Sequence, residues 1–145
     1  MSTRDADSVA RLSAEAMWAE DRASQGLGMK VEAVGPGTAT LSMTVADTMV
    51  NGHGLCHGGF IFLLADSAFA FACNSYGARN VAQSCQIAFV SPGRLGMQLI
   101  AEAKERHKAD RSGIYDVTVR AATGETIAEF RGFSRQIPGT LIASD

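Results

Sequence analysis

Residues 57–75 read HGGFIFLLADSAFAFACNS, and the fold turns on what such a segment requires of its surroundings. From Phe60 to Cys73 every residue except Asp66 and Ser67 is apolar. A helix of this composition has no polar face to offer water and must be enclosed by protein on most sides. The run is too short, and too polar at Asp66, to span a bilayer, which needs about 20 apolar residues. The pattern predicts a central buried helix over residues 57–75.

Upstream, residues 6–22 place Val9, Leu12, Ala16 and Met17 at helical spacing, with Asp5 or Asp7 as N-cap. This predicts a peripheral helix within residues 1–24. Residues 28–34 form a short apolar strand, and Gly35-Pro36-Gly37 a turn. Ala39, Leu41, Met43 and Val45 then alternate with Thr38, Thr40, Ser42 and Thr44, the period of a half-buried strand. Residues 46–56 are polar and glycine-containing, hence a loop. Downstream lie four strand-like segments near 79–90, 97–108, 113–122 and 125–135. They are separated by Ser91-Pro92-Gly93, Asp110-Arg111-Ser112-Gly113 and Thr123-Gly124-Glu125. Short turns between consecutive strands predict antiparallel neighbours. Residues 138–145 read as a tail. The order α-β-β-α-β-β-β-β in one domain over 1–145 gives an α+β class, a curved antiparallel sheet wrapped around one helix. One small sheet cannot enclose a helix completely, so its remaining side is expected to meet a second subunit.

Bulk properties narrow the partners. The chain has 145 residues, 46% hydrophobic and 19% charged, as in an ordinary globular domain. A formal net charge of -2 gives no reason to expect a nucleic-acid or membrane partner. The N-terminal MSTRDADSVARLS lacks the apolar core of a signal peptide. Cys56, Cys73 and Cys85 are odd in number and show no CxxC spacing. A reduced, cytoplasmic setting is expected.

The chemistry concentrates in Asn51-Gly52-His53-Gly54-Leu55-Cys56-His57-Gly58-Gly59 and the helix that follows. Adjacent glycines are poor helix formers, so their place at a helix start calls for a reason. Without a Cβ, the N–H of Gly58 or Gly59 can approach a ligand closely. Those groups belong to the unpaired donors of the first turn, at the positive end of the helix dipole, where a carbonyl oxygen gaining negative charge is stabilised. The alternative is a turn that merely admits tight packing. Asp66 lies among Phe62, Leu63, Leu64, Ala65, Ala68, Phe69 and Ala70, where a carboxylate is costly unless paired or functional. Burial raises its pKa toward the range of a general base. The alternative is a structural carboxylate that caps a strand or pairs with an arginine such as Arg131. His53 and His57 have a metal-binding spacing on a helix, but Gly52, Gly54 and Gly58 oppose helix there, and no metal is expected. His57 is expected to orient the loop or to hydrogen-bond near a reacting carbonyl.

Asp66 lies eight residues beyond Gly58, about 12 Å along a helix. One reacting carbon cannot touch both groups of one helix. Two such helices, antiparallel across a two-fold axis, would bring Gly58 of one chain beside Asp66 of the other, giving a homodimer with shared active sites.

The stretch NGHGLCHGG followed by FIFLLADSAFAFACNS resembles the phenylacetic-acid-degradation PaaI thioesterases of the hotdog superfamily. The likeness extends through Ser91-Pro92-Gly93, RSGIYDVTV (111–119) and FRGFSRQI (130–137), roughly residues 25–137. It implies a hotdog fold and hydrolysis of acyl-CoA thioesters, phenylacetyl-CoA or its ring-hydroxylated forms, to free acid and CoA. Gly58 would polarise the carbonyl, and Asp66 would act as base or nucleophile from the neighbouring subunit. Asn51 and His57 match the family's polar positions near the water or carbonyl. Where some relatives carry a hydroxyl residue, this chain has Ala70; Ser84 is a candidate for a water-orienting strand residue. No cofactor is implied, CoA being part of the substrate, and the family's assembly is a homotetramer. CoA phosphates would need cations: Lys104, Arg106, His107, Lys108 and Arg111 surround the 109–113 turn, and Arg111, Ser112 and Gly113, with Gly59, are the expected substrate-binding residues. Phe60, Phe62, Phe69 and Phe89 either line an aromatic pocket or are core. The competing expectations are a hotdog enoyl-CoA hydratase or dehydratase using His57 and Asp66, and a non-catalytic acyl-CoA-binding protein.

Overall fold

The computed structural model describes residues 4–144. Helix α1 (Ala6–Glu20) starts at Asp5, whose Oδ1 accepts from the Ser8 N–H at 2.7 Å, so Asp5 rather than Asp7 is the cap. Asp21 interrupts the predicted 6–22 helix. Its carboxylate accepts from the Ser24 N–H at 3.0 Å and starts a short α2 (Arg22–Gly26).

Six strands follow the predicted pattern: β1 (Lys30–Gly35), β2 (Thr38–Thr44), β3 (Ala78–Phe89), β4 (Gln98–Ala109), β5 (Ser112–Ala121) and β6 (Thr126–Thr140). They form one antiparallel sheet in the order β1-β2-β4-β5-β6-β3. Consecutive strands are neighbours at β1/β2, β4/β5 and β5/β6, but not at β3/β4. Ser91-Pro92-Gly93 is no hairpin turn. The Val90 and Ser91 N–H groups donate to Ile127 O near the start of β6, while Gly93 O accepts from the Cys56 N–H at 2.7 Å. The segment thus crosses the sheet end and leaves β3 at the far edge, beside β6. The predicted tail is also shortened. β6 runs past residue 135 to Thr140, which pairs with Ala78.

The curved sheet wraps the central helix α3 (Gly58–Cys73) in a hotdog arrangement. Leu64, Ala65, Ala68, Phe69 and Ala72 of α3 are buried against Leu41, Leu99, Ala101, Val117 and Val119 of the sheet. Strand β5 shows how the enclosure is made: Gly113, Tyr115, Val117, Val119 and Ala121 are buried and alternate with residues that face outward. Each fully buried Leu or Val contributes about 1.5–3 kcal/mol relative to exposure. Asn74 ends α3. Its Nδ2–H donates to Ala70 O at 2.9 Å and its Oδ1 accepts from the Asn80 N–H at 2.7 Å, which fixes the start of β3. Among the described residues no helix is long and apolar enough to cross a membrane.

β3 departs from this pattern. Most of its residues are open to solvent, including Val81 and Phe89, so α3 is least covered on this side. Close packing here depends on Gly132 of β6, where a Cβ would fall 2.7 Å from the Phe69 ring. Phe69 is only 1% exposed and has nowhere to move. Overpacking of a filled core costs about 1–3 kcal/mol. Gly132→Ala is therefore expected to destabilise the fold by about that amount in urea unfolding, and a midpoint equal to wild type would show that the ring is free to yield.

Candidate active site

The loop before α3 is closed by its own backbone. Val50 and Cys56 form an antiparallel bridge. Inside it the Asn51 Oδ1 accepts from the His53 N–H at 2.9 Å and the Leu55 N–H at 3.1 Å. Asn51 thus shapes the loop with its oxygen, leaving Nδ2 as the group available to a ligand. The Cys56 N–H to Gly93 O bond and the His57 N–H to Met49 O bond, at 2.8 Å, hold the loop against the sheet end.

His57 is the N-cap of α3, its Nδ1 accepting from the Gly59 N–H at 3.0 Å. With Nδ1 as acceptor, a neutral ring carries its proton on Nε2, which is left as a free donor. The cap also narrows the expectation for the two glycines. The Gly59 N–H is occupied by His57, and the Phe60 N–H donates to His57 O at 3.0 Å. Of the first three N–H groups of α3, only that of Gly58 has no acceptor among the described residues. A Cβ on Gly58 would lie 2.9 Å from Cζ of Phe89, so a larger residue there would displace that exposed ring.

Asp66 is half-buried and makes no hydrogen bond or ion pair with any described residue. Desolvation pushes its carboxyl above the usual aspartate range. The structural alternative fails on geometry. Arg131 lies on the outer face, where its guanidinium grips Asp116 at 2.6 and 2.8 Å, with Arg106 at 3.5 Å on the same carboxylate. That pairing, first through the hydrogen bond from Arg131, holds Asp116 below the usual range.

Two thiols lie near Asp66. Burial pushes Cys73 up to about 12, with the Asp66 charge and then Cys85 adding to it. Burial, then the Asp66 charge, also raises Cys85. Cys85 pairs with the buried Gly132 and so faces α3. The strand candidate Ser84 pairs with Phe133 on the outer face, turned away from Asp66. A bulge between Ala82 and Ser84 shifts the parity and puts Cys85 at the helix side instead.

The 109–113 turn is remote from Gly58 of its own chain. Ser112 pairs with Arg135, which pairs with Val81, while Gly58 lies against Phe89. Eight residues of β3 separate those levels, roughly 26 Å. Arg106 is held by Asp116, and Lys108 Nζ sits 4.7 Å from the Tyr76 ring centroid. Arg111 and Ser112 are exposed, whereas Gly113 is buried, where a Cβ would meet Ser134 Oγ at 2.7 Å. Gly113 therefore serves packing rather than open access.

A family model described as the thioesterase superfamily matches residues 53–128. The acyl-coenzyme A thioesterase PaaI of Escherichia coli strain K12 is 44% identical over 128 residues, covering 88% of this chain and 91% of that protein. The structure of the E. coli PaaI protein from the phenylacetic acid degradation operon superposes with a TM-score of 0.92 at 42% identity, covering 94% of this chain and 99% of that one. A variant of the phenylacetic acid degradation protein PaaI of Thermus thermophilus gives a TM-score of 0.78 at 36% identity, covering 81% and 100%.

A carboxyl whose pKa is raised by folding binds its proton more tightly in the native state. Its charge therefore opposes folding above the raised pKa, and the penalty fades as pH falls toward the unfolded value. Asp66→Asn is expected to melt at a higher temperature than wild type at pH 7, with the gap closing in acid. A lower melting temperature at pH 7 would mean that Asp66 has a stabilising partner.

Proposed function

The chain belongs to the thioesterase superfamily, and from that membership we propose that it hydrolyses acyl-CoA thioesters to free acid and CoA, with phenylacetyl-CoA or its ring-hydroxylated forms as the preferred class. The observation that carries the reading is Asp66, a half-buried carboxylate with a raised pKa and no partner among the described residues. The likeness to E. coli PaaI supports the substrate class.

In this reading the Gly58 N–H donates to the thioester carbonyl oxygen and stabilises the negative charge that grows there. Asp66 either takes a proton from the attacking water, or attacks the carbonyl itself to form an anhydride that water then opens. The tetrahedral intermediate collapses and expels the CoA thiolate. His57, which caps the same helix, would offer Nε2–H as a further donor, and Asn51 Nδ2–H would serve as another.

Gly58 and Asp66 are about 12 Å apart on one helix, so the site needs two chains. β3 supports this as a twelve-residue edge strand open along its length, the kind of edge that pairs with another chain. The register follows from the levels already described. Gly58 is level with Phe89, and Asp66, about 12 Å further along α3, falls about four strand residues back, near Cys85, whose thiol feels its charge. Antiparallel pairing that places Phe89 of one chain opposite Cys85 of its partner puts the two-fold axis near Ile87. That register sets the Gly58 N–H of one protomer beside Asp66 of the other. In the homotetramer, two such dimers associate.

Wild-type protein should release thiol from phenylacetyl-CoA with higher kcat/KM than from straight-chain acyl-CoA. Hydration of an enoyl-CoA without thiol release would instead favour the hydratase. The shared site has its own test. Gly58 is the first helical residue, where proline is well tolerated, so Gly58→Pro removes the N–H and keeps the helix, at the cost of displacing the exposed Phe89 ring. Mixing Gly58→Pro with Asp66→Asn, each inactive alone, should restore part of the activity in hybrid dimers; hybrids without rescue would mean that each chain works alone. Register is tested by cross-linking in a Cys85→Ser background. Ile87→Cys should join two chains under mild oxidation and Ala82→Cys should not, and the reverse result would displace the axis.

A further inference from the structure

We propose that Phe89 is a specificity-determining residue, an exposed aromatic wall beside the carbonyl-binding N–H on which the flat ring of an aryl acyl group stacks. The inference rests on the thioesterase reading of the Gly58 and Asp66 site. Phe89 is set apart from the other phenylalanines near that site by what its ring touches. Phe69 is enclosed by Tyr115 and Phe130, with ring centroids at 5.7 and 5.8 Å, and by the Gly132 backbone. Phe62 packs on Phe130 at 5.4 Å. Phe60 stands edge-on to His57 at 6.5 Å. Phe71 is buried, with Trp18 at 6.4 Å. Phe89 alone is 53% exposed.

Its position is fixed from both sides. Pairing with Ala128, which is fully buried, turns Phe89 to the helix side of the sheet. There its ring lies so close to Gly58 that a Cβ would overlap Cζ. The open N–H of α3 and an open aromatic face are thus neighbours, so a carbonyl oxygen held at Gly58 places its acyl substituent within reach of the ring. Val90 and Leu95, in the segment that follows, are each 58% exposed and extend the apolar surface. The Leu55 to Arg94 bridge ties that segment to the loop carrying His57. Across the two-fold axis the same ring faces the partner's carboxylate, so one protomer supplies both the donor and the acyl wall.

A ring stacked on Phe89 gains an aromatic pair contact that an alkyl chain lacks. Pair contacts of this kind are worth about 0.5–1.5 kcal/mol beyond area burial, or roughly two- to twelvefold in a rate ratio. The test is the ratio of kcat/KM for phenylacetyl-CoA to that for hexanoyl-CoA, read by thiol release. Phe89→Leu keeps apolar bulk and should lower this ratio by roughly two- to twelvefold, whereas Phe89→Trp should keep or raise it. An unchanged ratio in Phe89→Leu, or an equal loss in Phe89→Trp, overturns the proposal and leaves the thioesterase reading standing. Wild-type protein that releases thiol from no CoA ester overturns both.

Discussion

Everything in this molecule follows from a helix that cannot face water. α3 is apolar around its circumference, and a single curved sheet encloses it on every side but one. The strands under its middle carry Ala101, Ala103 and Ala128 as well as larger residues, which lets the helix approach closely. The side left uncovered is the β3 side, where the sheet ends in an open edge. That uncovered side is where the proposed dimer would form and the proposed chemistry would take place.

Asp66 occupies that side. Two carboxylates on the sheet, by contrast, have partners: Asp116 lies between Arg131 and Arg106, and Glu105 accepts from the hydroxyls of Tyr76 and Tyr115. A carboxylate in an apolar setting without such partners is a destabilising choice, and it also has the raised proton affinity that base catalysis requires. The helix start shows a complementary economy of donors. His57 caps Gly59 and its carbonyl takes Phe60, so one N–H is left, at a glycine whose missing Cβ lets the Phe89 ring lie close. A carboxylate and an N–H donor, both without partners among the described residues and separated along one helix, would complement each other in the proposed dimer, where two such helices run in opposite directions.

Local features of the fold were legible in the residues. The extent of α3 and the alternation of β2 depend on side chains within one element, so their periodicities are sufficient. Strand order was not legible, because Ser91-Pro92-Gly93 has turn composition but makes its hydrogen bonds to Ile127 and Cys56, which are distant in sequence. Gly58 and Asp66 stood out because glycine at a helix start and a carboxylate in an apolar run both violate local preference. The outward turn of Ser84 was not legible, because a single bulge reverses parity without a glycine or proline to mark it. The freedom of Asp66 from Arg131 was readable in principle: Phe130 and Gly132 are the inward residues of β6, so Arg131 between them must point outward.

The central claim is that Asp66 carries the reaction, and the kcat of Asp66→Asn tests it most directly. The isosteric amide keeps the shape of the site and removes the base. Thiol release from phenylacetyl-CoA should slow by about 10²–10⁴-fold, with the Kd for the ester nearly unchanged, as expected for a group that acts in the transition state. Undiminished turnover in that variant would contradict the account.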